Sequence, residues 1–259
     1  MLREEQMIVA IARLIRDPAA PPARHIAVGA ASPIPAAACW LVQKTAPQEA
    51  PVRLSLLHKV RGNPFTEGTR ELFDLAGQGR IDLFFLGGGQ IDGQANINLV
   101  GTGEWPGTHA RFPGSFGSAF MYMTVPRTIL FREEHSSRVL VPRCDIISAP
   151  GVSPPGVFRR GTAQALVTGR AVFAFDPKSA RFTLMSVHDG ETAESVREAT
   201  GFEYDVADSV PTTAPPTEAE RALLRSTVCA AMRETYPTFC DRVWGRAPDA
   251  AADTVGSAA

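Results

Sequence analysis

Between Arg3 and Arg16 the apolar side chains of Met7, Ile8, Ile11, Leu14 and Ile15 recur at helical spacing and Pro18 closes the run, which predicts a helix with one buried face. A short apolar piece, His25 to Val28, precedes a second expected helix from Ala36 to Lys44, opened by Pro35. Strands are predicted at Val52 to His58 and at Ile81 to Leu86. Between them lie the Gly62–Pro64 break and a helix in which Leu72, Phe73, Leu75 and Ala76 share a face, closed by Gly77 and Gly79. The run IDLFFL at 81–86 is nearly continuous in apolar residues, the mark of a strand covered on both faces, and it enters three glycines directly.

Further strand-like runs fall at Thr128 to Arg132, Arg138 to Val141 and Asp145 to Ser148. Ala163 to Phe175 and Arg181 to His188 are β-rich and flank Asp176-Pro177-Lys178-Ser179, a turn that predicts an antiparallel hairpin. Thr192 to Thr200 reads as a helix ended by a left-handed Gly201, followed by a strand from Phe202 to Val206. Thr217 and Glu220 form a capping box, opening a last helix whose Leu223, Leu224, Val228, Ala231 and Met232 share a face. Strands alternating with helices predict an α/β protein with an open mixed sheet flanked by helices. Without repeats or a linker, one domain over residues 1–246 is expected, with a flexible tail over 247–259.

Composition narrows the partners. The chain has 259 residues, enough to bury a full core without disulfides. Lys plus Arg number 26 against 27 for Asp plus Glu, so a formal charge of −1 supplies no field for nucleic acid or an anionic membrane. No apolar run approaches the roughly 18 residues of a membrane span. The opening MLREEQ carries both charge signs, unlike a secretory leader. Cys39, Cys144, Cys229 and Cys240 are scattered without a C-x-x-C pair and read as buried thiols, which fits a reducing cytoplasm.

Candidate chemistry concentrates at the end of the 81–86 strand. Gly87, Gly88 and Gly89 leave backbone amides open to a ligand, and Gln90, Asp92, Asn96 and Asn98 follow within a few residues. A tight turn between buried strands explains the glycines alone, whereas four short polar side chains are more than a turn requires. A second glycine loop, Pro113 to Ala119, contains Gly114, Ser115 and Gly117 but lacks the lysine of a nucleotide P-loop. Gly101 to Gly107 only mimics a dinucleotide fingerprint, because Pro106 and the missing helical pattern spoil the mechanism. The histidines His25, His58, His109, His135 and His188 show no metal spacing, and no metal is expected. Glu133-Glu134-His135 reads as a solvated strand end and Arg159-Arg160 as a solvated pair. No G-x-S-x-G elbow marks a serine nucleophile.

With these residues in place, LGGGQIDGQANIN resembles the G-G-x-Q-[IV]-D-x-x-G-N-x-N signature of β-type subunits of family I CoA transferases, and PGSFGSA resembles their P-G-S-G-G-A loop. The similarity continues through VFAFDPKSARFTLMSVHDG and VREATGFEY. The resemblance implies a CoA-transferase-like open α/β fold and an α-type partner in an αβ or α2β2 heteromer. It also implies an acyl-CoA bound between the halves, with coenzyme A as substrate and no further cofactor. On this view Gly88, Gly89, Gln90, Asp92, Asn96, Gly114, Ser115 and Gly117 contact the acyl-CoA. In the transferases a glutamate of the β-type half attacks the thioester, and such catalysis needs a carboxylate held against backbone amides.

The chain departs from that pattern. The family glutamate follows the strand that matches Val52 to His58, yet Lys59-Val60-Arg61-Gly62 carries no carboxylate. Glu67 is the nearest, and its place at a helix start suits an ordinary surface residue. Phe116 stands for a glycine, Phe120 for an aspartate and Ala95 for the signature's glycine. These departures resemble a divergent branch, the heteromeric CoA-ester hydrolases that open a steroid ring, where the working glutamate comes from the α-type subunit and activates water. The expectation is therefore a β-type subunit of an acyl-CoA enzyme in carboxylic-acid or steroid catabolism, inactive alone, with hydrolysis as the alternative to transfer. A non-catalytic structural subunit and a ligand-sensing module are the readings from other classes.

Overall fold

A computed structural model of the chain describes residues 2–59, 61, 63, 65 and 67–246, so the expected tail at 247–259 lies outside the described residues. The first helix, α1, spans Arg3–Ile15 and buries Met7, Ile8, Ile11 and Ile15 as their spacing requires. Strand β1 (His25–Val28) leads into α2 (Pro33–Thr45), which starts earlier than expected because Pro33 occupies its first position. Its Ala36, Ala37, Ala38, Cys39 and Leu41 are all buried, since α2 lies between the sheet and other helices and has no wet stripe. Strand β2 (Arg53–Leu56), α3 (Thr69–Gly77) and β3 (Leu83–Leu86) follow in the expected order.

After β3 the chain makes two small ribbons. Strands β4 (Gln90–Ile91) and β5 (Ile97–Asn98) pair antiparallel, as do β6 (Gly101–Thr102) and β7 (Ala110–Arg111). Helix α4 (Ser118–Thr124) then enters β8 (Arg127–Arg132), and β9 (Thr162–Thr168), β10 (Ala171–Asp176) and β11 (Arg181–Val187) complete the central strands. Helix α5 (Ala193–Ala199) and β12 (Asp205–Val206) precede the helices α6 (Glu218–Leu223), α7 (Cys229–Arg233) and α8 (Pro237–Trp244).

The main sheet has the order β12-β11-β10-β9-β8-β3-β1-β2. Pairing is parallel from β9 to β2 and antiparallel in β9-β10-β11, an open mixed α/β sheet as expected. One core packs α1, α2, α7 and α8 on one face, around Ile8, Ile26, Leu41 and Val228. The other face carries α3 and α4 around Leu72, Phe84, Tyr122 and Phe173. All four cysteines are buried free thiols.

Several local expectations fail for identifiable reasons. Arg138 to Val141 and Asp145 to Ser148 form no strands; they contribute single bridges, Leu140 to Ile91 and Ala149 to Ile97, that brace the β4–β5 ribbon. Val139, Leu140 and Val141 are buried by that contact and not by a ladder, whereas Ile147 is exposed. The β-rich stretch from Ala163 to Phe175 is two strands, broken at Gly169-Arg170. Helix α5 ends through Thr200 in an extended conformation, and Gly201 is not left-handed. A Cβ at Gly201 would strike the Leu140 carbonyl, which explains the glycine by close approach. The capping box at Thr217 and Glu220 forms, but the helix after it passes through a π-turn at Leu224–Val228 into α7, and α8 follows as a further helix. His135 and Arg159 are also not solvated. His135 is buried between the Thr168 and Thr200 hydroxyls, and Arg159 lies over the Tyr122 ring while donating to the carbonyls of Pro150 and Gly161.

Candidate active site

The parallel strands β2-β1-β3-β8-β9 follow the 2-1-3-4-5 order of a doubly wound sheet, whose ligand crevice opens where the order reverses, between β1 and β3. The chain leaves β1 through Gly29–Ser32 toward α2 on one face, and leaves β3 through the three glycines toward the other. Residues at the carboxyl ends of β1, β2 and β3 therefore border the same edge.

The loop after β3 is held rigidly. Asp92 is 3 % exposed, and its carboxylate accepts hydrogen bonds from the amides of Gln94 (3.0 Å), Asn96 (3.1 Å) and Cys144 (3.3 Å) and from the Asn96 side chain (3.1 Å). Asn96 in turn accepts from the Gly151 amide at 2.9 Å. Gln90 accepts from Asn98 Nδ2 at 2.6 Å and from the Asp145 amide at 3.0 Å. Asn98 is fully buried and ties the loop to Gly101 through both its amide nitrogen and its oxygen. Every one of these polar side chains answers another group of the same chain, the condition under which burial of polar atoms is tolerated. The Gly89 amide donates to the Asn98 carbonyl at 2.9 Å, and a Cβ at Gly89 would collide with the Phe112 ring, which closes over this turn.

Ala95 has φ 59°, a left-handed conformation that glycine adopts freely. Ala95 thus holds, at the signature's glycine position, a backbone shape that favours glycine, and the Tyr122 hydroxyl donates to the Ala95 carbonyl at 3.1 Å. Burial beside the Asp92 charge pushes the Cys144 thiol well above its ordinary value, so it is not a nucleophile. A cleft of about 700 Å³ opens beside this loop, between Asp92, Asn96, Arg143, Ile147, Arg181 and Phe202. A second, of about 900 Å³, lies at the opposite edge of the sheet near Ile15, Arg24 and Val52, away from the crevice.

The second glycine loop is separate and open. Gly114 and Ser115 are exposed, and Gly117 lies against the Phe73 ring. Phe73 also gathers Phe116 and Phe120, at centroid distances of 5.7 and 5.8 Å, and Phe116 is 83 % exposed. Glu67 is exposed and paired with Arg70 at 3.0 Å, one turn along. The Gly101–Gly107 segment belongs to the β6–β7 ribbon, where His109 is exposed and packs over Gly103.

The sequence pattern did not reveal the border formed by the end of β2, the turn after β1 and Tyr236. In the β1–β2 register Leu56 lies opposite Val28, which sets His58 level with the Gly29–Ser32 turn. The His58 ring stacks on Tyr236 with centroids 5.5 Å apart and planes 16° from parallel. The Tyr236 hydroxyl donates to the Gly29 carbonyl at 3.3 Å and receives the Ser32 amide, while burial raises its own pKa to about 12. A local signal existed for the turn, the short apolar piece from His25 to Val28 running into Gly29 and then Ser32-Pro33. None existed for Tyr236, which reaches Gly29 across 207 residues.

Comparison with known proteins adds to this geometry. A family model described as coenzyme A transferase matches residues 52–199. The chain is 33% identical over 138 residues to one subunit of the glutaconate CoA-transferase of Acidaminococcus fermentans, covering 51% of each chain. It is 29% identical over 160 residues to the cholesterol ring-cleaving hydrolase IpdB subunit of Rhodococcus jostii, covering 60% of this chain and 62% of that one. The matches thus span about half to six tenths of these relatives' length. The crystal structure of the decarboxylase AibA/AibB superposes with a TM-score of 0.72 at 22% identity, covering 94% of this chain and 99% of that chain, a likeness of fold.

Proposed function

The chain belongs to the coenzyme A transferase family, and from that premise we propose that it is the β-type half of a heteromeric enzyme that hydrolyses an acyl-CoA substrate. The acyl group comes from a carboxylic or steroid-derived acid under catabolism, and an α-type subunit completes the site. Coenzyme A enters as part of the substrate, so the reading calls for no separate cofactor. The second glycine loop, with Gly114 and Ser115 exposed, contacts the acyl-CoA, whereas Gly88 is buried against Gln90 and Ile97 and, with Gln90, Asp92 and Asn96, acts by fixing the shape of the turn.

The observation that carries this reading is the absence of a nucleophilic carboxylate where the resemblance would place one. Leu57 to Thr66 contains no Asp or Glu, and Glu67 is a solvated partner of Arg70. Covalent transfer of CoA through this chain therefore lacks its acceptor, while attack by water does not need one. A relative named as a ring-cleaving hydrolase is consistent with attack by water, and the heteromer is supported by both relatives being single subunits of larger enzymes.

Trapping during turnover tests it. The chain purified with its α-type subunit is quenched with hydroxylamine or borohydride in the presence of acyl-CoA, and both subunits are weighed by mass spectrometry. Hydrolysis by water predicts both subunits at their unmodified mass. A hydroxamate or reduced glutamyl adduct on either one would establish covalent transfer instead.

A further inference from the structure

We propose that the outward side of α4, with the loop that opens it, is the surface on which the α-type subunit sits, an inference that deepens the reading above and rests on it for the partner. From Phe112 to Pro126 the chain carries no charged side chain. Met121 and Tyr122 turn inward and are buried, yet Phe120 on the same helix is 43 % exposed. A helix that is apolar all round is one that is covered all round. Its exposed rings are gathered and not scattered. Phe116 and Phe120 both pack on Phe73 of α3, and Phe120 lies against Gly77 one turn further along that helix. The amides of Arg160 and Gly161 donate to the Met123 carbonyl at 3.0 and 2.8 Å, which sets the exposed Val157 and Phe158 beside the end of α4. Phe158 is 84 % exposed, as open as Phe116.

The other side of the sheet shows how this chain dresses a face for water. There the ion pairs Arg13–Glu220, Arg225–Glu5, Arg242–Glu4 and Arg233–Asp241 run over α1 and the C-terminal helices. Beside α4 charge borders the rings instead, in the Glu67–Arg70 pair one turn before Phe73 and in Arg160 against Gly79. An aromatic centre with a charged rim is the anatomy of a protein–protein contact. An α-type subunit fits this surface better than a second copy of the chain. Phe116 stands between Ser115 and Gly117, so a partner seated here closes over the loop assigned to acyl-CoA. Attack by water needs a base, and a second copy meeting this surface across a twofold axis would present the same segment, which holds no carboxylate. Phe73, Phe116, Phe120, Val157 and Phe158 all fall within residues 52–199, the part matched by the family model, and the relatives named above are single subunits of larger enzymes. Helices α1, α2, α7 and α8, which cover the opposite face, lie outside that part.

The test uses the full chain purified with its α-type subunit. Phe158→Asp, outside the glycine loop, and Phe116→Asp should each weaken the complex about 30-fold or more, read by mass photometry as dissociation on dilution. Met185→Asp, on β11 at a side chain as open as Phe120, should leave it within about twofold. In hydroxyl-radical footprinting of the wild-type complex, Phe116, Phe120 and Phe158 should be oxidised about tenfold or more slowly than in the urea-unfolded chain, and Met185 within about threefold of it. Near-unfolded rates at the three rings would overturn the assignment, as would either Phe substitution within about twofold of wild type, or the same protection in a homodimer of this chain alone. Acetyl-CoA, succinyl-CoA and the CoA thioester of a fused-ring steroid acid then separate the two readings. A complex that protects the rings but cleaves none of these leaves the surface standing and overturns hydrolysis, whereas cleavage by a complex whose rings stay open does the reverse.

Discussion

Two segments that meet the same edge of the sheet are built on opposite terms. The loop after β3 carries the recognisable signature, and its Gln90, Asp92, Asn96 and Asn98 are buried and bonded to one another or to nearby backbone. The end of β2 carries no recognisable motif, and its His58 is exposed, stacks on Tyr236 and makes no hydrogen bond among the described residues. A buried polar network is costly to build and fixes one shape, whereas a free imidazole contributes little to stability and keeps its nitrogens for another molecule. The most distinctive residues of this chain thus mark the framework.

That contrast can be broken at either end. Asp92→Ala strands three backbone amides and the Asn96 side chain, and at about 1–3 kcal/mol per unpaired buried donor, partly relieved by water, it should cost about 4 kcal/mol in urea unfolding. A change under about 1 kcal/mol would show that the network is not structural.

Acid comes next in size. Burial holds His135 and His188 at about 4, below the ordinary 6.5; Arg170 acts with it on His135, and Arg3 on His188, against an opposing Glu191. A histidine depressed in the folded state stabilises it above the unfolded value and loses that contribution as the medium acidifies. Stability should therefore fall between pH 6.5 and 4, by up to about 3 kcal/mol per histidine. Replacing both by Gln should flatten the profile in that window, and an unchanged slope would contradict the burial argument.

Smaller effects sharpen the comparison. Gln90→Ala removes the acceptor of Asn98 and of the Asp145 amide and should cost about 2 kcal/mol, with Asn98 still bonded to Gly101. Tyr236→Phe keeps the stacking platform but releases Gly29 and Ser32, which predicts a loss of about 1 kcal/mol and a few-fold lower turnover. His58→Ala should shift unfolding by less than about 0.5 kcal/mol, since the side chain is exposed. A stability loss as large as that of Gln90→Ala would place His58 with the framework.

Much of the architecture was legible because local pattern decided it. The one-faced helix α1, the doubly covered strand β3, the turn at Asp176–Ser179 and the capping box at Thr217 all depend on neighbours within a few residues. Arg138 to Val141 misled because an apolar run buried against a ribbon looks like a strand in a ladder. His135 and Arg159 misled for the converse reason, since charged or polar neighbours in sequence do not reveal a buried partner in space. Helix α8 escaped because it is a separate eight-residue helix opened by Pro237 after a turn, beyond the apolar face of the helix before it. The border at His58 was beyond local reading altogether, because its two halves meet only when the last helices pack on α2.

The most direct test of the account follows oxygen. In a single turnover of the assembled enzyme in water enriched in ¹⁸O, direct attack by water places one labelled atom in the released carboxylic acid and none in either polypeptide. Unlabelled acid, with the label found in a glutamate of the protein, would mean that a side chain attacked first and would contradict the account.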